Sequence, residues 1–386
     1  MNEALDIIRN SQRTEILFPE AEIVLIVIYA VLMLSGIVSN LLVCFVVTRQ
    51  CLRKRITLGS SGPKSRNLYV ANLAVADLAL CCICMPFTLI TLIEYEWRFG
   101  SVLCKLVPVV QGTNIMVSAG TITAIAFDRY VTIVRPPGSR VLYTHSRWKV
   151  LFVIVIIWIL SFAVTSPVFF YTVIEPVFFY DILLYEKCIE KWPSNSLYTA
   201  FTVGFAVIQF VIPGMVLVTI HLRISAYLKL HLKNFSDKSK SGKCHKRARR
   251  ELRRNRRTMF MLSCIAVAYA VSWFPMTIYQ VLITQIPRVY QNPKTIYVAF
   301  AVCHIFAMST TITNPLLYGW LNPNFRREFY VIFRSISSFF SKLFSAHVNR
   351  PDGSKNQQPN NTLAFMNDKM KSTTVKIMTT APRMQL

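Results

Sequence analysis

Charge is what this sequence has least of. Of its 386 residues only 16% are Asp, Glu, Lys or Arg, where a soluble chain of that length carries roughly a quarter. Acids are the scarcer sign, 18 against 43 basic residues. Nothing is ionised between Glu22 and Arg49, Lys105 and Asp128, Lys149 and Glu175, Lys191 and Arg223, Arg257 and Arg288, or Lys294 and Arg326. A seventh stretch, Arg66 to Glu94, holds the single acid Asp77. These absences exclude several classes. A net charge of +25 would suggest a nucleic-acid partner if the basic residues covered a compact polar domain. They cluster between charge-free runs instead, so no nucleic acid is expected. A transporter would show internal repeats and several intramembrane charges, and neither is present. An enzyme is not expected either: His221 and His304 stand on different runs, with no nucleophile, base or metal-ligand spacing beside them.

What fills the sequence is apolar residue, 53% of the chain, with a mean hydropathy of +0.42. Each charge-free run exceeds the roughly 18–20 residues that carry a helix across the hydrocarbon core. The expected fold is an all-α membrane protein, a seven-transmembrane helix bundle over residues 22–321. Segments on the N-terminal side carry 7 Lys and Arg, those on the other side 35. Positive charge collects in cytoplasmic loops, so residues 1–21 are expected outside the cell. The outer segments also hold 11 Asp and Glu against 6 inside, a mild acidity that favours a cationic ligand. No cleavable signal peptide is apparent, and the first span is expected to act as its own insertion signal.

The seventh run ends in HIFAMSTTITNPLLYGWLNPNF, His304 to Phe325. Pro315 has no backbone N–H and crowds the carbonyl one turn earlier, which predicts a kink. Such a defect survives in lipid where other groups satisfy the freed backbone, and Thr310, Thr311, Thr313 and Asn314 are placed to do so. Beyond Tyr318 the amphipathic FRREFYVIF predicts a surface helix over 322–345, held by Phe329, Phe333, Phe339 and Phe340. A polar tail, 346–386, is expected to be disordered, with hydroxyls available for phosphorylation and arrestin binding.

Asp77 is the residue that needs explaining, because an acid at mid-bilayer is costly unless it faces the bundle and finds partners. Asn114 and Ser118 on the third span and Asn314 on the seventh are candidates, and this oxygen-rich group suits a small cation. Cys104 and Cys188 are the two of ten cysteines on the outer side, where disulfides persist, and are expected to be bridged. Asp128, Arg129 and Tyr130 close the third span with an acid and a base that can pair locally. Gly36 and Asn40 read as close helix packing, as does Trp158, and Pro213 predicts a kink in the fifth span. Trp273 precedes Pro275 in SWFP, either an aromatic core residue or a side chain that moves with a hinge. The basic stretch 223–257 suits anionic lipid or a docking protein.

Together, Asn40, NLAVADL around Asp77, Cys104, Asp128-Arg129-Tyr130, Trp158, Pro213, SWFP and NPLLY resemble the rhodopsin-like (class A) G-protein-coupled receptors. The resemblance spans residues 22–345. It implies that Arg129 and Tyr318 rearrange on activation, opening the inner face to a heterotrimeric G protein. It also implies a sodium ion held by Asp77, Asn114, Ser118 and Asn314. The segment His304 to Phe325 and WRFG at 97–100 are similar to the neuropeptide Y and neuropeptide F receptor group. That resemblance implies a pocket of Thr88, Gln111, Gln209, Gln280 and His304 for an amidated peptide of Arg-Phe-amide or Arg-Tyr-amide type, at the plasma membrane. Amine receptors carry an acid where Gln111 stands, which argues against an amine ligand. Another peptide class, such as the tachykinins, is the alternative, followed by an orphan receptor without retinal. A photoreceptor would need a lysine deep in the seventh span, where Met308 stands, and Lys294 lies at the outer edge.

The sequence departs from that pattern at four places. Thr284 replaces the acid that many relatives use for a ligand arginine, so that contact falls to Glu94, Glu175 or Glu190, or is absent. His221 replaces a tyrosine of the fifth span. Asn255 and its neighbours supply no acid to hold Arg129 from the sixth span. The surface helix has no cysteine for palmitoylation.

Overall fold

In hydrocarbon a backbone amide has no water to bond, so a charge-free run of this length is driven into a helix that satisfies its own polar groups. A computed structural model shows the result. It describes residues 19–56, 65–94, 96–134, 147–179, 182–238, 242–285 and 293–321, with isolated positions between 326 and 341. Seven helical segments are long and apolar enough to cross a membrane. The first is α1, Pro19–Ile56. The second runs from α2, Ser65–Ala79, through a π-helical turn, Leu80–Cys84, into α3, Met85–Glu94. The third is α4, Gly100–Val134, and the fourth is α5, Arg147–Tyr171. The fifth joins α6, Asn195–Ala206, to α7, Ile212–Lys238, through a second π turn, Val207–Val211. The sixth is α8, Gly242–Gln285, and the seventh is α9, Pro293–Met308, followed by α10, Thr310–Leu321.

The third span is the axis of the bundle. Of its most apolar stretch 56% is buried, against 11% for the fifth span and 17% for the fourth. The outward faces of those peripheral spans remain apolar, as Phe152, Ile159, Met215 and Val218 show by their exposure. That inversion is what a lipid solvent requires. Inside, polar side chains stitch spans that small residues have let approach. The Trp158 indole donates to Asn72 Oδ1 at 2.9 Å, and Asn72 Nδ2 donates to Thr121 Oγ1 at 2.9 Å, joining the fourth, second and third spans. A side chain at Gly36 would strike Cys81 Sγ at 2.6 Å and Thr311 Oγ1 at 3.1 Å. Glycine there sets how closely the first, second and seventh spans meet.

Two of the prolines stand beside a widened helical turn. Each π turn ends two residues before a proline, Pro86 in one case and Pro213 in the other. Widening the turn gives the ring room against the preceding carbonyl. Pro315 lies inside the continuous α10, and the irregularity of the seventh span falls at Ser309, whose N–H donates to both Ile305 O at 3.0 Å and Phe306 O at 3.2 Å. The carbonyl that Pro315 leaves without an amide is that of Thr311, one turn earlier. Asn40 Nδ2 of the first span donates to it at 2.8 Å. The threonines expected in that role bond elsewhere: Thr310, Thr311 and Thr313 donate to the carbonyls of Ala307, Met308 and Ser309.

At one end of the bundle, between the fourth and fifth spans, β1 (Thr172–Phe179) and β2 (Ile182–Glu190) form an antiparallel hairpin. Cys104 and Cys188 are bridged, with Cα atoms 5.6 Å apart, so the hairpin is tied to the start of the third span. Trp97 packs beside the bridge, donating its indole N–H to Gly100 O at 2.8 Å and its amide to Glu186 O at 2.8 Å. Gly100 has φ +73°, a left-handed conformation costing other residues about 1–2 kcal/mol, so the last residue of WRFG is fixed by backbone geometry. The expected surface helix falls mostly outside the described residues, although 326–328 and 330–331 are helical. Residues 1–18 and the tail from 342 lie outside them entirely.

Asn40→Ala strands the Thr311 carbonyl away from water, a loss of about 1–3 kcal/mol. A lowered melting temperature of the detergent-purified chain is the expected result. Ser39→Ala, which removes a hydroxyl bonded only to Gly36 O within its own helix, leaves the melting temperature unchanged.

Candidate functional site

Where the spans splay at the hairpin end they enclose a cavity of about 290 Å³. Its wall is mostly aromatic and aliphatic, with the Cys104–Cys188 bridge at the rim and Trp273 among the lining residues of the sixth span. Trp273 is buried, as expected for either reading of it. The polar groups facing the space are amides and hydroxyls: Gln111 of the third span, Gln209 of the fifth and Gln280 of the sixth, with Thr88, Thr202 and Thr277. Among the described residues the wall holds no Lys, Arg or His, and its one acid is Glu190, on the last residue of β2. Four of the five residues expected at the pocket are therefore gathered in one wall.

His304 stands apart from them. Its ring is fully buried between Tyr29, at 5.8 Å, and Phe300, at 5.7 Å, and Phe300 forms the wall of the cavity there. Nδ1 shares a 2.7 Å hydrogen bond with the Tyr29 hydroxyl, while Nε2 is buried without a partner. The rotation of the seventh helix, set by this aromatic stack, puts the imidazole behind the wall. Tyr29, invisible as a site residue in the sequence, holds it there.

Gln209 does more than line the cavity. Its Nε2 donates to the Tyr269 hydroxyl at 3.2 Å, and that hydroxyl donates to Ile115 O at 3.0 Å. The fifth, sixth and third spans are thus joined by one buried chain beneath the cavity. On its far side a second, apolar groove of about 450 Å³ also has Gln209 and Tyr269 in its wall, together with His221. No sequence signal marked Tyr269.

The rim around Glu190 is aromatic and tightly built. Trp192 packs on Tyr171 at 4.3 Å, Phe201 at 4.8 Å and Tyr198 at 5.6 Å, and donates its indole N–H to Glu190 Oε2 at 2.9 Å. Glu190 as a residue stays open to solvent, yet its carboxyl is crowded by protein. That crowding raises its pKa above the usual carboxylate value, and the Trp192 N–H pulls the other way.

Deeper in the bundle Asp77 is fully buried and accepts from Asn314 Nδ2 at 3.1 Å. Ser118 Oγ donates to Asn114 O at 2.9 Å rather than to Asp77, and Asn114 Nδ2 donates to Val110 O at 2.9 Å. Asn114 Oδ1 is left buried with no donor. Of the expected partners, Asn314 alone bonds Asp77 directly. Among the described residues no cluster of three His, Cys, Asp or Glu side chains offers a site for a transition metal.

At the opposite end Arg129 pairs with its neighbour Asp128 at 2.5 Å, both side chains being largely enclosed. Arg129 Nε is buried without a partner. Asp128 is the ion-pair partner of Arg129 among the described residues, in keeping with a sixth span that offers no acid there. Pro275 lies within the unbroken α8. The side chains of Thr284 and Tyr318 lie outside the described residues.

Residues 39–318 match the family model of the 7 transmembrane receptor (rhodopsin family). Human neuropeptide Y receptor type 2 is 34% identical over 352 residues, covering 89% of this chain and 86% of the relative. The same receptor from Macaca mulatta matches to the same extent. The neuropeptide F receptor of Drosophila melanogaster is 33% identical over 316 residues, covering 79% of this chain and 61% of the relative. The seven helical segments long and apolar enough to cross a membrane agree with that family description. The chain is a multi-pass membrane protein and not an enzyme, and it belongs to the rhodopsin family of seven-transmembrane receptors, in the neuropeptide Y and neuropeptide F receptor group.

Proposed function

We propose that this receptor is activated by a peptide with an amidated C-terminus, of Arg-Phe-amide or Arg-Tyr-amide type, and signals through a heterotrimeric G protein. The observation that carries the reading is a cavity wall whose polar groups include three glutamines and, among the described residues, no cationic side chain. A carboxamide both donates and accepts hydrogen bonds, as the glutamine side chain does. A free C-terminal carboxylate buried in the same wall would find no positive partner, and an ionised group without one is costly to bury. An ammonium ligand lacks a counter-ion on the third span, where Gln111 stands. The names of the similar receptors, neuropeptide Y and neuropeptide F, agree with a peptide.

The hairpin end, with its disulfide, faces the outside of the plasma membrane, and the end rich in Lys and Arg faces the cytoplasm. A ligand touching Trp273 and the Gln209–Tyr269 chain binds one arrangement of the third, fifth and sixth spans better than another. That difference shifts the population without any chemical step. At the cytoplasmic end the Asp128–Arg129 pair is local, so opening it frees Arg129 for a partner. Arrestin binding through the tail hydroxyls belongs to the same reading.

The buried carboxylate of Asp77 and the donor-free Asn114 Oδ1 suit a small hard cation, with Ser118 and Asn314 completing an oxygen-rich group. Sodium held there would favour the arrangement in which Asp77 stays charged.

G-protein activation by a panel of amidated peptides, their free-acid forms and monoamines tests the proposal. The amidated peptides are expected to act, and a response to monoamines alone would refute it. Gln111→Ala weakens amidated-peptide binding about tenfold or more, the cost of one lost buried hydrogen bond. Arg129→Ala keeps surface expression and peptide binding while abolishing nucleotide exchange on the G protein. Raising the sodium concentration at constant ionic strength lowers agonist affinity, and Asp77→Asn removes that dependence.

A further inference from the structure

We propose that the groove between the fifth and sixth spans is a lipid site, which takes one acyl chain of a phospholipid and seats the anionic headgroup on Lys229 and Arg256. Its volume, about 450 Å³, lies within the range of ligand sites, roughly 300–1,000 Å³. The wall is built mainly from Phe210, Leu217 and Leu222 of the fifth span, Ile122 of the third, and Ala266 and Val267 of the sixth. Leu222 and Val267 are exposed, as is Val218 beside them. The groove therefore opens on the outer surface of the bundle, where the solvent is hydrocarbon. Gly214 belongs to the same wall, and a Cβ built there would meet nothing within 4 Å. An apolar space of this kind does not hold water, so its occupant comes from the bilayer.

What that occupant carries at its polar end follows from the two helices that flank the groove. They run antiparallel, and at the end away from the hairpin the groove closes at Leu222 and Ser263. Seven residues make nearly two turns, which returns a helix to the same face about 10 Å further along. Lys229 stands seven residues beyond Leu222, and Arg256 seven before Ser263. Both are exposed, and among the described residues neither is paired with an acid. Lysine and arginine at a bilayer edge attract anionic lipid wherever they stand. Two of them in register with one apolar groove do more, because they define a place for a single molecule. A phosphate suits the pair, since arginine offers it a planar fork and lysine a point charge. The chain of a lipid seated there reaches the wall formed by Gln209 and Tyr269, whose hydrogen bond at 3.2 Å ties the two spans.

Native mass spectrometry of the full-length receptor, purified in detergent, measures binding of dioleoyl phosphatidic acid and dioleoyl phosphatidylcholine, which share their chains. Wild type is expected to take up one saturable molecule of phosphatidic acid, about tenfold or more tightly than phosphatidylcholine. Equal binding of the two lipids would overturn the proposal. Lys229→Gln combined with Arg256→Gln should erase the preference. Arg223→Gln combined with Arg257→Gln removes the same charge from exposed positions on other faces of the same helices, and should keep it. Gly214→Leu fills the groove without changing charge and should weaken phosphatidic acid about tenfold. Gly204→Leu, at a glycine equally open but outside the groove, should not. Equal losses in the two charge pairs would reduce the effect to general attraction and overturn the site, as would full binding by Gly214→Leu. Uptake of cholesterol that Gly214→Leu abolishes, with phosphatidic acid unaffected, would assign the groove to a sterol and likewise overturn it. The four charged side chains are exposed, so their variants keep the fold. No peptide enters the measurement, and its result is independent of the activating ligand.

Discussion

No water reaches the middle of a bilayer, and every polar atom placed there must find its partner within the protein. The seven helices meet that requirement along their length, and the chain spends its intramembrane polar side chains where a helix cannot. Pro315 opens one such gap in the seventh span, and Asn40 closes it from the first. Asn72 reaches the third and fourth spans together. Asp77 is carried by Asn314. The same rule makes the exceptions informative. Asn114 Oδ1, Arg129 Nε and His304 Nε2 are buried without partners among the described residues, and all three sit at positions the sequence had marked for ion binding, switching or ligand binding. Groups left unsatisfied in one arrangement are groups that another arrangement, or a bound species, can satisfy.

The cavity follows from the same economy of charge. Among the described residues its wall offers carboxamides, hydroxyls and a single carboxylate, Glu190. Gln209 stands in the walls of both the cavity and the apolar groove beyond it. Its hydrogen bond to Tyr269 ties the fifth span to the sixth between these two spaces.

The number and order of the spans were legible because lipid excludes charge, and that exclusion leaves gaps in the sequence which no soluble fold would need. The disulfide was legible because Cys104 and Cys188 share a compartment. Less legible was anything that depends on rotation about a helix axis. His304 lies one turn from Phe300, and nothing in the order of residues says which of them faces the cavity; the stack with Tyr29 decides it. The π turns before Pro86 and Pro213 were hidden for a related reason, since a proline announces a disturbance but not whether the helix bends or widens. The β hairpin was not legible, because the residues of its two strands alternate weakly. The partner of Asn40 could not have been read at all, because it is a backbone carbonyl in another helix.

That last contact has a consequence for how the chain is made. Asn40 and Thr311 are 271 residues apart. At about 5–20 residues per second of synthesis, the first span waits in the bilayer for roughly 15–50 s before the seventh emerges. During that interval the carboxamide would be an orphan in lipid. In the folded chain the same Nδ2 also donates to Gly36 O one turn back, at 2.9 Å, a contact within the first span that does not require the seventh. The newborn helix thus carries its own stopgap, and the late-arriving seventh helix shares a donor that already had a partner.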